Sequence, residues 1–103
     1  MFSDTRYILR SKQDGQYLVA RVPISGQDKL AQYVLVFNEN YDALSYLNTH
    51  AKDVAHLFSL EGINAVQLKS IIGRWGFNGI GLVNEPIQPN VQFLSYEKGF
   101  YDR

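Results

Sequence analysis

Five consecutive residues, Tyr33-Val34-Leu35-Val36-Phe37, place apolar side chains on both faces of an extended chain. Successive side chains of a strand point to opposite sides, so a run without alternation is buried only where the sheet is covered above and below. The run therefore predicts a central strand from Leu30 to Phe37, with a covered sheet built around it. It is also the longest strongly apolar stretch, far short of the ~20 residues a spanning helix needs, so no membrane association is expected.

The segments before this run also read as strands. Tyr7-Ile8-Leu9 is followed by Asp14-Gly15, a turn dipeptide, and then by Gln16 to Val22, which Pro23 closes. This pattern predicts a hairpin. In its second arm Leu18, Ala20 and Val22 share the purely apolar face, which is expected to point at the core, while Tyr17, Val19 and Arg21 share the other. Ile24 to Lys29 is polar and contains glycine, the signature of a loop.

After Phe37 the apolar period changes from two to about 3.6. Asn38 is placed to cap a helix running from Glu39 to about Asn48, with Glu39 and Asp42 complementing the positive end of the helix dipole and Tyr41, Leu44 and Leu47 on one face. A short strand is expected over Val54 to Leu60. A second helix follows, opened by Asn64 with Gln67 three residues on, a relative of the capping box. Ala65, Leu68, Ile71 and Ile72 form its apolar stripe, and Gly73 is read as its left-handed C-terminal cap. Ile80 to Val83 and Val91 to Tyr96 complete the strands, joined by a segment in which Pro86 and Pro89 oppose regular pairing. The order is β-β-β-α-β-α-β-β: a single α+β domain over residues 1–103, with a mixed sheet packed against two helices.

Composition narrows the function classes. With 103 residues, 46% of them apolar, the chain can bury roughly 65% of its unfolded surface without metal or disulfide staples. Ten basic residues balance ten acidic ones, which removes the electrostatic term behind most nucleic-acid and anionic-membrane binding. No nucleic-acid partner is expected. The absence of cysteine excludes disulfides, thiolate metal sites and cysteine nucleophiles. The opening Met1 to Arg6 carries an acid early and has no apolar core of a signal peptide, so a cytoplasmic location is expected.

No catalytic constellation emerges. His50, Asp53 and His56 match no metal-ligand spacing, and no serine lies in a nucleophile elbow. No metal and no cofactor are expected. Gly73, Gly76, Gly79 and Gly81 follow a helix and precede a strand, the reverse of the order a phosphate cradle needs, and read as a cap, a turn at Asn78-Gly79 and a close backbone approach. The echo of an RNA-binding signature in Gly73-Arg74-Trp75-Gly76-Phe77 fails on spacing. Arg74, Trp75 and Phe77 are nonetheless the residue types that dominate protein interfaces, and Phe100 and Tyr101 near the C-terminus need either burial or a partner.

Tyr17-Leu18-Val19, the Tyr33 to Phe37 strand running into a helix with Ala43 and Leu44, the helix Val66 to Ile72 and the strand Gly79-Ile80-Gly81-Leu82-Val83-Asn84 together resemble the N-terminal domain of SseB-like proteins, over roughly Gln16 to Pro86. Glu85 stands here between the asparagine and the proline that the family tends to join. The resemblance implies an α+β domain without established catalytic residues, often in secretion or metabolic-stress contexts, and it carries no site across.

The expected function is that of a non-enzymatic module that binds a protein partner through an aromatic loop or a free sheet edge, with Tyr7 to Leu9 as the candidate edge. A free edge also permits a homodimer. The alternative is a small-ligand sensor or minor enzyme with a pocket near Trp75 to Asn84, where Arg74, Asn78 and Asn84 would orient a polar ligand against aromatic walls.

Overall fold

The structure, a computed structural model, describes residues 5–88 and 90–95. Six strands form one mixed sheet in the order β4-β1-β3-β5-β6, with β2 also paired to β3. They are β1 (Arg6–Ser11), β2 (Val19–Pro23), β3 (Leu30–Phe37), β4 (Phe58–Ile63), β5 (Gly79–Glu85) and β6 (Asn90–Ser95). The helices are α1 (Asn40–His50) and α2 (Ala65–Trp75), and a short 3₁₀ segment, Lys52–Leu57, precedes β4. β3 and β5 are parallel, in register Tyr33↔Gly79 through Phe37↔Val83, and the other pairings are antiparallel. No helix among the described residues is long and apolar enough to cross a membrane.

The apolar run of β3 organises both sides of the sheet, as its composition requires. Val34 and Val36 are buried with Ile8, Ile80 and the Leu68, Ile71 and Ile72 stripe of α2. Leu35 and Phe37 are buried on the opposite face with Leu9, Val83 and the Ala43 and Leu47 positions of α1. One helix covers each face.

Between β1 and β2 the chain leaves the sheet. Tyr7 pairs with Phe37 and Val19 with Val34, so the two strands lie end to end along β3. The residues between them form a projecting hairpin, closed by an Arg10↔Tyr17 bridge and by Leu18 N–H donating to Leu9 O at 2.9 Å. Both faces of the segment from Tyr17 into β2 are used: Leu18 and Ala20 pack towards α1, Tyr17 and Val19 towards α2.

β1 is an interior strand, so the expectation that Tyr7 to Leu9 forms a free edge is corrected. Ile8 and Leu9 are adjacent, point to opposite faces and are both fully buried, which demands cover on both sides. The outer position belongs to β4, whose Ser59 and Glu61 alternate with Leu60 as an edge tolerates. The strand expected from Val54 begins later, since residues 52–57 wind into the 3₁₀ segment.

Both helices differ in detail from the sequence reading. The N-cap of α1 is Glu39, without a side-chain bond, rather than Asn38. Its buried residues are Ala43 and Leu47, whereas Tyr41 and Leu44 are 62% and 49% exposed. The inner face thus includes the smallest side chain of the helix, Ala43, fully buried against the sheet beside Leu47. The capping box of α2 is present in full: Gln67 N–H donates to Asn64 Oδ1 at 2.8 Å and Asn64 N–H to Gln67 Oε1 at 3.0 Å. The helix then passes through Gly73 and ends a turn later at Gly76, where φ is +69°.

Gly73 is an exposed helix-interior residue, and a Cβ there would meet nothing within 4 Å. Gly73→Ala is therefore expected to stabilise the fold by about 0.5–1 kcal/mol, by restricting the unfolded chain, as read from urea unfolding midpoints. The same change at Gly76 is expected to destabilise, because the left-handed conformation penalises a Cβ.

Candidate functional site

Tyr17, at the base of the projecting hairpin, is the centre of a line of stacked side chains. The Arg10 guanidinium lies 4.9 Å from its ring centroid, and the Trp75 ring meets it edge-on at 5.1 Å. Trp75 in turn stacks on Phe77 at 5.9 Å. Arg10 is held further by donating Nε–H to Gly15 O at 2.7 Å and by an ion pair of 3.7 Å with Glu61 on β4.

A groove of about 340 Å³ opens beside this line. Glu61 and Ile63 of β4 and Tyr17 form its floor, and Val66, Gln67, Ser70 and Arg74 of α2 form its wall. Three of these wall residues, Val66, Ser70 and Arg74, are four apart, so they stand one above another on a single helix face. Val66 is 78% exposed, an apolar residue in the first turn of a helix whose core stripe lies elsewhere. A second cleft, of about 220 Å³, shares Tyr17 and is walled by Trp75, Gln32 and Arg21.

β4 lines the first groove with Glu61, Gly62 and Ile63 and, like β6 at the opposite end of the sheet, has an outer edge. Among the described residues no strand pairs with it. An antiparallel edge of this length turns roughly three N–H and three C=O groups away from its partner, each in need of a hydrogen bond.

The structure uses the residues singled out in the sequence in different ways. Arg74 and Trp75 sit together at the last turn of α2, and Trp75 remains 41% exposed. Phe77, expected on a surface loop, is buried against α2. Gly76 reverses the chain so that the N–H groups of Gly76 and Phe77 both reach Ile72 O, and the Phe77 ring folds under the helix end. Asn78 docks this corner on β3: its N–H donates to Gln32 O and its Oδ1 accepts from Gln32 N–H, both at 2.8 Å. The turn expected at Asn78-Gly79 is instead the start of β5. Asn84 lies at the other end of that strand, about 20 Å from Asn78 at ~3.3 Å per residue, so the two do not share a site. Phe100 and Tyr101 lie outside the described residues.

His50 is engaged on the α1 side, its Nε2 2.9 Å from Pro86 O and its ring 4.8 Å from that of Tyr46. No group of three or more potential metal ligands comes together among the described residues.

Sequence reading passed over Tyr17, Glu61, Ile63, Val66 and Ser70. Val66 carried a signal of its own, a β-branched residue outside the apolar stripe of a helix, where propensity favours other side chains. The others could be found only from the pairing of β4. No family model, curated protein or solved structure matches the chain.

Proposed function

We propose that the domain is a non-enzymatic interaction module that takes up an extended segment of a protein partner by strand addition at β4. The observation that supports it most is the juxtaposition of an unpaired strand edge with a groove walled by α2. The edge supplies backbone hydrogen bonds for any sequence, and the groove receives alternate side chains and so selects among sequences. Tyr17 lines both this groove and the cleft that Trp75 walls, which sets the aromatic residues next to the strand-addition site.

A small-ligand pocket spanning Trp75 to Asn84 has less support, because Asn78 is committed to Gln32 and Asn84 is remote from the aromatic line.

Random ten-residue peptides displayed on phage and selected on the immobilised full chain test this reading. Selected peptides are expected to slow amide hydrogen exchange in residues 58–63. Ser70→Trp, an exposed change that fills the groove, is expected to weaken their binding by at least about tenfold while leaving the melting temperature nearly unchanged. Protection confined to other elements, or undiminished binding to the Ser70→Trp variant, would overturn the proposal.

A further inference from the structure

From the charges lining the groove we infer that the extended segment carries an acidic side chain, received by Arg74. This rests on the strand-addition reading and adds the chemistry of the partner. Two charged residues line the groove, Glu61 and Arg74. Glu61 is matched within the chain by Arg10, whose guanidinium is also held over Tyr17 and whose Nε is bound to Gly15 O. Arg74 is exposed and makes no hydrogen bond or ion pair among the described residues. The groove therefore presents one uncompensated guanidinium in a lining that also holds the apolar side chains of Ile63 and Val66, and the group that complements it is a carboxylate, which a guanidinium can bind through two parallel hydrogen bonds.

The position of Arg74 matters as much as its charge. A cation in a last turn is favoured by the helix dipole, yet that requirement is met at any exposed position of the turn. Here the residue falls on the Val66-Ser70-Arg74 line that faces the edge strand. At ~1.5 Å per residue this line spans roughly 12 Å. Side chains on one face of an extended segment recur every ~6.6 Å, so the groups meeting Val66 and Arg74 stand about four residues apart. The segment is thus expected to combine an apolar side chain, seated against Val66 and Ile63, with an aspartate or glutamate about four residues away.

The phage selection above reads this directly. The expected consensus contains one acidic position at that separation from an apolar one. A synthetic peptide with the consensus is expected to lose about tenfold in affinity when its acid is replaced by the amide, and to lose a similar factor against Arg74→Gln, with no further loss when both changes are combined. An Arg74→Glu variant is expected to prefer the peptide bearing lysine at that position. Peptides that protect β4 but show no acidic preference, or that bind Arg74→Gln unchanged, would overturn the acidic specificity and leave strand addition standing. Absence of any peptide protecting β4 would overturn both.

Discussion

Replacing Gly79 with alanine is expected to destabilise the domain by about 3 kcal/mol or more, lowering the melting temperature by at least ~12 °C. Gly79 opens β5 and pairs with Ser95 across the β5–β6 ladder. A Cβ built on its backbone would overlap the carbonyl oxygen of Leu94 and stand 2.9 Å from Ser95 Cα. Overpacking against a flexible side chain is relieved by a rotamer change. Here the obstructing atoms are backbone, so β6 would have to move away from β5. The effect is local in origin and broad in consequence, because Tyr33, whose ring lies tilted against that of Phe93 at 5.0 Å and whose hydroxyl is 3.3 Å from Ser95 Oγ, loses both partners with β6. Thermal unfolding followed by circular dichroism measures it. A shift of only a few degrees would mean that β6 is not held where Gly79 meets it.

Leu68→Ala is expected to cost ~2–5 kcal/mol and Leu44→Ala no more than about 0.5 kcal/mol. Leu68 is fully buried between α2 and the β1 and β3 side chains, and its loss leaves a cavity that neighbours as rigid as Val34, Val36 and Ile80 fill poorly. Leu44 is half exposed on the outer shoulder of α1. Chemical denaturation of the two variants under identical conditions gives the contrast. Equal losses would place Leu44 in the core and rotate α1 about its axis, with Ala43 turned away from the sheet.

The contrast between these two leucines shows where the sequence was legible. In α2 the apolar positions Leu68, Ile71 and Ile72 form one unambiguous stripe, and a capping box marks its start, so phase and N-terminus could both be read. In α1 Tyr41, Leu44 and Leu47 suggest one face, of which Leu47 alone is buried, while a small residue, Ala43, shares the buried face with it. Hydrophobic size misleads where a helix must come close to a sheet, because close approach favours a small side chain at the point of contact. At the C-terminus of α2 the sequence points to Gly73 as the cap, and the structure corrects this to Gly76, where burial of Phe77 beneath the helix end selects the later glycine.

The candidate site was less legible than the fold. Arg74 and Trp75 were identified by residue type, and the structure places them beside the β4 groove. Asn78 was identified as a potential ligand contact, yet it is committed to the backbone of Gln32, a partner 46 residues away in the chain. Tyr17 reads as one more strand residue in the sequence, and only the Arg10↔Tyr17 bridge sets its ring under the Arg10 guanidinium.

The sequence by itself determined the element order, the burial of β3 on both faces and the N-terminal capping box of α2, because each of these follows from the period of apolar side chains or from hydrogen bonds made within a few residues. Tertiary structure alone decided which strand is outermost. β1 and β4 are both short, and their neighbours are chosen by long-range pairing: Arg6↔Ile63 through Ser11↔Phe58 fixes β1 inside and leaves β4 at the edge. The edge of β4, unpaired among the described residues, and the groove that β4 lines exist only once those distant segments have paired.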